Sequence, residues 1–123
     1  TPAKSREFAQ RWQNRSPKKA MPNDMQAGVY ASLLHYLKGV EKAGGATDGR
    51  AVVEAMKSIP TDDALFGKGT IRPDGRKLHP LYLLQVKKPE ESKGAWDYMK
   101  VAGTIPPENA FRPLNAGGCP LVK

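Results

Sequence analysis

The residues of this chain that could do acid–base or metal chemistry are few and lie far apart. The two histidines are His35 and His79, and neither has a cysteine, an aspartate or a second histidine at the spacing of a metal site. His35 falls off the apolar stripe of a predicted helix and is expected on that helix's surface, whereas His79 precedes Pro80 at the predicted start of a strand. We expect neither histidine to be catalytic, and we expect no bound metal.

The other polar groups also lack a catalytic arrangement. Asp62 and Asp63 are adjacent, and neighbouring side chains often diverge, so a cap or a solvated turn is favoured over an acid–base pair. Gly67-Lys68-Gly69 lacks the four-residue gap and the Gly-Lys-Ser/Thr ending of a phosphate loop. The serines show no nucleophile-elbow context. The sequence therefore predicts a protein that is not an enzyme and that uses no cofactor.

Positive charge is concentrated at the start of the chain. The formal net charge is +8, and the first 20 residues hold six lysines and arginines against one acid, Glu7. A basic end can bind nucleic acid or an acidic surface, but a solvated helix face is the more ordinary interpretation. Trp12 follows Phe8 at the spacing of a core pair, and no aromatic-rich strand resembles an RNA-recognition module. A small basic nucleic-acid- or protein-binding domain is the alternative function, although we expect no nucleic acid as a partner.

The ends of the chain carry two further indications. The chain begins with Thr1 and shows no secretory leader, so we expect that a leader was removed or that the chain is a piece of something longer. Cys119 is the lone cysteine. It cannot form a disulfide within the chain, and in an oxidising compartment it would pair outside the chain or stay free.

Two helices are predicted first. Thr1-Pro2 is a good helix start, and this helix should end at Ser16-Pro17. Asn23 or Asp24 can cap the second helix, and Gly44-Gly45 ends it. Its apolar stripe recurs at three-to-four spacing. The stripe consists of Val29, Tyr30, Leu33, Leu34, Leu37 and Val40.

A shorter helix and then a change of pattern follow. Thr47 or Asp48 caps this third helix, and Pro60 closes it. Its inward-facing residues are predicted to be Val52, Val53, Met56 and Ile59. Residues 69–72 then read as extended, and Pro73-Asp74-Gly75 is a turn in which Pro sets the first dihedral and Gly supplies a positive φ.

The last part of the chain is predicted to be strand followed by an irregular tail. Residues 78–86 read as a strand, and the sequence leaves open whether it forms a hairpin with residues 69–72 or diverges from them. Residues 106–108 can start a single helical turn, and prolines and glycines after Arg112 favour an irregular tail.

Three blocks of the chain resemble the C-terminal portion of periplasmic substrate-binding proteins of ABC transporters, of the Leu/Ile/Val-binding-like type I group. The blocks are SREFAQRW (5–12) with MQAGVY (25–30) and LLHYL (33–37), GTIRPDG (69–75) with PLYLLQV (80–86), and WDY (96–98) with TIP (104–106), AFRPL (110–114) and CPL (119–121). The last block is similar to a subgroup that includes binders of aromatic acids.

The resemblance implies an α/β fold class, as a C-terminal fragment of a two-lobe type I periplasmic binding protein. Residues 1–68 would form the helical part of the N-terminal lobe and residues 69–81 the hinge crossing, with Gly69, Pro73 and Gly75 as hinge residues. Residues 82–123 would supply a strand of the second lobe and a tail that wraps back over the hinge. The helical stripe would pack on a sheet whose strands lie upstream, so we expect the isolated chain to self-associate or to need a second chain.

The resemblance also implies a function. The protein would be the periplasmic solute-binding component of an ABC importer, which captures a small amino acid or aromatic carboxylate and delivers it to the permease. Most ligand contacts would lie upstream of this chain. Within it, Met25 is the first candidate ligand contact, as a soft apolar wall, and Tyr30 is the second.

Overall fold

Four helices and five strands make up the fold of the residues that the structure describes. A computed structural model describes residues 3–120 and 122, so the predicted start at Thr1-Pro2 lies outside the described residues. The helices are α1 (Ala3–Arg15), α2 (Asp24–Ala43), α3 (Gly49–Ser58) and α4 (Pro107–Ala110), and the strands are β1 (Thr61–Asp63), β2 (Gly67–Ile71), β3 (Lys77–Leu78), β4 (Leu81–Val86) and β5 (Met99–Ile105). Short 3₁₀ helices occupy Pro89–Glu91 and Leu114–Gly117.

The ends of α2 and α3 are fixed by the predicted capping residues. The Asn23 side chain accepts a hydrogen bond from the Gln26 amide, and the Gln26 side chain accepts one from the Asn23 amide, which forms a capping box. Gly44 ends α2 with a φ of 77°. Asp48 caps α3 by accepting hydrogen bonds from the amides of residues 50 and 51.

The two helices pack through the side of α2 that faces away from its apolar stripe. Ala31, His35 and Gly39 are the buried residues of α2. At Gly39 an added Cβ would lie only 2.5 Å from Cγ of Met56 in α3, so a side chain there would separate the helices. The α2–α3 contact therefore depends on small residues.

Two sequence predictions are wrong at this contact. His35 is buried rather than on the surface, and its Nε2 donates to the Met56 carbonyl at 2.9 Å. This carbonyl lies in the last turn of α3, where the helix provides no partner of its own. Val53 is exposed rather than inward-facing, because α3 buries Val52 and Ala55 instead.

The first sheet follows α3 at once and contains a strand that the sequence reading missed. Its order is β1-β2-β3, antiparallel throughout. The glycine at position 69 faces Thr61, and an added Cβ would come within 2.2 Å of the Leu78 carbonyl oxygen. Only glycine fits this close approach. The predicted turn between β2 and β3 is confirmed: Gly75 has a φ of 83°, and its amide donates to the Arg72 carbonyl at 2.9 Å.

The sequence left open whether residues 78–86 form a hairpin with residues 69–72 or diverge from them, and the structure contains both arrangements. β2 and β3 form a short hairpin, and β4 then diverges into a second sheet. β3 pairs with β2 over only two residues, Lys77 and Leu78. The predicted strand 78–86 breaks at His79-Pro80, and β4 then pairs antiparallel with β5, with a register irregularity between Leu83 and Leu84. Strand β5 was not predicted, since its apolar residues follow mixed spacing. We call the β4–β5 pair the ribbon.

The tail returns from the ribbon to the first sheet. The predicted single helical turn is present as α4. The ring of His79 lies between Phe66 and Phe111, with centroid distances of 4.9 and 5.6 Å. Arg72 Nη1 donates to the Arg112 carbonyl at 2.9 Å. These contacts hold residues 111–112 against the segment that connects the two sheets.

The buried apolar core of the described residues is small, and it consists of Phe8, Ala31, Val52 and Ala55. Much larger apolar side chains are exposed on α2 and on the ribbon. On α2 we define the helical apolar face as Met25, Val29, Leu33 and Leu37, each more than half exposed. The predicted stripe thus exists, but the described residues leave this apolar face of it more than half exposed.

A candidate ligand-facing surface and hinge

Met25 and Tyr30 lie close together at the start of α2. Met25 is 71% exposed and Tyr30 37% exposed. Both line one shallow cleft of ≈ 360 Å³, whose other walls are Trp12, Gln26, Val29 and Leu33. The two residues predicted from the resemblance therefore belong to a single, almost entirely apolar surface.

An aromatic cluster fixes one side of this surface. Phe8 is buried, and its ring centroid lies 4.8 Å from that of Tyr30 and 6.3 Å from that of Trp12. Such tilted pairs stabilise each other beyond the area that they bury. The predicted Phe8–Trp12 pairing is present, and Tyr30 is held by the cluster while Met25 is not part of it.

The chemistry that this surface can offer is apolar contact rather than catalysis. Gln26 is occupied by the capping box. Arg11 and Arg15 bring positive charge to a neighbouring cleft of ≈ 430 Å³, which they line together with the same aromatic cluster. Met25 has three rotatable bonds and a polarizable sulfur, so it can adapt to ligands of different shape.

The three predicted hinge residues fall in two different settings. Gly69 is a strand residue whose lack of a Cβ is required by packing. Pro73 and Gly75 lie in the tight turn, where Gly75 adopts the left-handed conformation. The chain passes from one sheet to the other just after β3, at His79-Pro80.

Arg72 is the residue of this region that the sequence reading missed. It donates from Nη2 and Nε to the two carboxylate oxygens of Asp74, at 2.6 and 3.2 Å. The hydrogen bond from Arg72 holds the pKa of Asp74 below its usual range, and the Arg76 amide adds to this effect. An arginine two residues before an aspartate across a Pro-Asp-Gly turn is the sequence signal that could have identified the pair.

A second ion pair joins the two edges of the first sheet. Asp63 accepts hydrogen bonds from Lys77 Nζ and from the amides of Leu65 and Phe66. Burial alone would raise the pKa of Asp63, but these hydrogen bonds outweigh it and lower the pKa. The carboxylate thus forms a turn and an ion pair, as the cap-or-turn interpretation predicted, while Asp62 is exposed.

The described part of the chain lacks the features of two other kinds of site. It contains no group of three or more histidine, cysteine, aspartate or glutamate side chains that could hold a metal ion. Within the same residues, none of the helices combines the length and apolar character needed to cross a bilayer.

The fold is a mixed α/β chain with two separate antiparallel sheets and an apolar helix face that the described residues leave uncovered. Residues 1–95 match the family model described as periplasmic binding protein, and the chain belongs to this family. The predicted family and α/β fold class are confirmed.

Two solved structures share the fold closely. A periplasmic binding protein from Burkholderia mallei is 45% identical with a TM-score of 0.90, and the match covers 98% of this chain and 31% of that one. A branched chain amino acid ABC transporter periplasmic ligand-binding protein from Burkholderia xenovorans LB400 is 42% identical with a TM-score of 0.88, covering 98% and 32%. The chain therefore spans about a third of the length of these proteins. The comparison with curated proteins finds no match.

Proposed function

We propose that this chain is part of the extracytoplasmic solute-binding component of an ABC importer, which works in the periplasm. It captures a small amino acid or an aromatic carboxylate and delivers it to a membrane permease, without catalysing a reaction. Membership of the periplasmic binding protein family supports the solute-binding role. The similarity to a branched chain amino acid transporter's ligand-binding protein supports the class of solute.

The observation that carries the proposal is the exposed apolar surface around Met25 and Tyr30. A small cleft of mainly apolar side chains is the usual form of a ligand site. We assign Met25 to direct ligand contact, because it is the more exposed of the two and is not held by the aromatic cluster. Tyr30 supports the wall through its contact with Phe8.

The change from the first sheet to the second, at His79-Pro80, falls within the proposed crossing between the lobes. Residues 1–68 would belong to one lobe and residues 82–123 to the other, with the crossing at 69–81. In such a hinge, a few residues at the ends of elements take up the dihedral change on closure. Gly75 fits this role better than Gly69, because Gly69 is tightly packed against the Leu78 carbonyl, and Pro73 can contribute only through ψ, since its ring fixes φ.

The ligand is expected to need groups outside these 123 residues. The described cleft offers an apolar wall but few polar groups that could hold a carboxylate or an ammonium. The proposal therefore has two parts that calorimetry can separate, with leucine and benzoate as probes.

The protein with its upstream sequence should bind one of these probes, whereas the 123-residue chain should not. Met25→Ala in the longer protein should weaken binding by about tenfold, as loss of a well-packed contact of roughly 1.4 kcal/mol would. Met99→Ala is the matched control, because Met99 is also exposed but lies on the ribbon. Micromolar binding by the 123 residues alone, or equal effects of both variants, would overturn the assignment.

A further inference from the structure

A cleft of ≈ 510 Å³ lies between the β2–β3 turn and the tail, away from the Met25 surface. Arg76 and Lys77 line it from the turn, and Phe111, Arg112 and Cys119 line it from the tail. The cleft exists because the Arg72 side chain reaches the Arg112 carbonyl and holds the tail beside the turn. Its lining is mainly polar, unlike that of the apolar clefts on α1 and α2.

Two of the cations at this cleft are already neutralised. Arg72 forms its ion pair with Asp74, and Lys77 forms one with Asp63. Asp74 is fully engaged, since it also accepts a hydrogen bond from the Arg76 amide at 3.1 Å. These carboxylates therefore have little capacity left for a further cation.

Among the residues that the structure describes, neither Arg76 nor Arg112 forms an ion pair within 4.0 Å, although the charge of Arg76 also acts on Asp74. The Arg76 guanidinium lies over the Phe111 ring, with Cζ 5.6 Å from the centroid. The Arg112 guanidinium lies against Gly117, where an added Cβ would be 3.2 Å from Nη2. Stacking and close packing restrict both side chains and leave their N–H donors available.

We propose that Arg76 and Arg112 form a binding site for an oxyanion in this cleft. A guanidinium presents a planar fork of donors that matches carboxylate and phosphate oxygens, and such charge-assisted bonds are among the stronger ones in proteins. The guanidinium groups of Arg76 and Arg112 belong to one polar cleft. Because the charges of Arg72 and Lys77 are neutralised by Asp74 and Asp63, the two arginines leave a local excess of positive charge. The site is distinct from the proposed solute surface, and its oxyanion is separate from the transported ligand.

The site places its occupant at a specific structural junction. An oxyanion that bridges Arg76 and Arg112 would add a second link between the turn and the tail, beside the Arg72 link. Binding would therefore stabilise the tail against the crossing. This gives the proposal a structural readout that does not depend on transport or on solute binding.

The test is an NMR titration of the chain with inorganic phosphate, followed through the arginine side-chain Nε–H signals at constant ionic strength. Acetate forms a second arm and shows whether a tetrahedral or a planar oxyanion is preferred. We expect saturable shifts at Arg76 and Arg112 in at least one arm, and slower amide exchange in residues 110–117. Arg76→Gln or Arg112→Gln should weaken binding about tenfold or more, as loss of a charged hydrogen bond does.

Arg50→Gln is the matched control, because Arg50 is an exposed arginine on α3 outside the cleft. It should leave the affinity unchanged. Shifts that do not saturate, shifts spread evenly over all arginines, or equal binding by Arg50→Gln and the two cleft variants would each overturn the proposal. The wild-type signals localise the site even if a variant fails to fold.

Discussion

Arg72 and Asp74 form a two-point ion pair across the β2–β3 turn, with Nη2–Oδ2 at 2.6 Å and Nε–Oδ1 at 3.2 Å. The third donor of the guanidinium, Nη1, reaches the carbonyl of Arg112, 40 positions later. Both side chains are largely buried. One arginine therefore closes the turn and attaches the tail to it, at the crossing proposed to be the hinge.

Replacement of Asp74 by asparagine should destabilise the protein in a pH-dependent way. Arg72 lowers the folded-state pKa of Asp74 below the usual 3.8. The stabilisation is therefore fully present above the unfolded pKa and is lost as the pH falls through the folded pKa. Asp74→Asn should lower the free energy of unfolding at neutral pH, and its difference from wild type should vanish in acid.

Urea unfolding at a series of pH values measures this difference. Asparagine keeps the oxygen that accepts the Arg76 amide, so the comparison isolates the charge. The other carboxylates titrate equally in wild type and in Asp74→Asn, so their contributions cancel in the difference in unfolding free energy. A difference that persists unchanged below the folded pKa would show that the charge is not the cause.

Substitution of Arg72 by lysine should release the tail without unfolding the helices. Lysine keeps the charge but is a point charge that cannot hold both Asp74 oxygens and the Arg112 carbonyl at once. Hydrogen exchange should accelerate in residues 110–117 and stay unchanged in α2 and α3. Lys68→Arg is a control on the neighbouring strand, since Lys68 is exposed. If residues 110–117 exchange their amide hydrogens equally slowly in Arg72→Lys and in the wild-type protein, the role given to Arg72 is contradicted.

The parts of the fold that local chemistry determines could be predicted from the sequence. The caps at Asn23, Gly44 and Asp48 gave the helix ends, because each satisfies backbone groups within a few residues. Strand β5 could not be predicted in the same way, since its partner β4 is what makes it a strand.

The errors at the candidate sites have a similar cause. The apolar stripe of α2 alone predicts a surface position for His35. The small residues Ala31 and Gly39, each four positions away, mark a second packed face that the stripe hides. Met25 and Tyr30 were assigned through resemblance, and their ligand role stays a prediction. The Arg72–Asp74 pair has a local signal in the sequence, but the link from Arg72 to the Arg112 carbonyl could not be predicted from local pattern, because the two residues are 40 positions apart.

Glycine at position 69 should be far less replaceable than glycine at position 28. An alanine Cβ at 69 would lie 2.2 Å from the Leu78 carbonyl oxygen, whereas nothing lies within 4 Å at position 28 in α2. Gly69→Ala should therefore cost roughly 1–3 kcal/mol of unfolding free energy through overpacking. Gly28→Ala should add about 0.5–1 kcal/mol, because alanine favours a helix. Denaturant midpoints measure both, and equal losses would contradict the packing given to Gly69.

Loss of the His35 imidazole should destabilise the α2–α3 contact. His35→Ala removes the donor to the partly buried Met56 carbonyl and leaves a cavity, at a cost of about 1–3 kcal/mol. Val53→Ala on the exposed side of α3 is the control and should change stability by less than about 1 kcal/mol. Thermal unfolding compares the two. If His35→Ala leaves the thermal stability unchanged, water replaces the imidazole at the Met56 carbonyl. The α2–α3 contact would then not depend on the His35 side chain.

The helical apolar face should make the 123-residue chain self-associate. Met25, Val29, Leu33 and Leu37 form one exposed stripe on α2, and contiguous patches of this kind mark surfaces that bind other protein. Leu33→Glu places a charge in the centre of the stripe and should shift sedimentation towards monomer. Lys42→Glu changes the net charge more than Leu33→Glu does, but on the polar side of the same helix. It should leave the self-association unchanged. If upstream sequence covers the stripe, its addition should give monomers without any substitution. Oligomers that persist both in Leu33→Glu and after this addition would exclude the stripe as the contact.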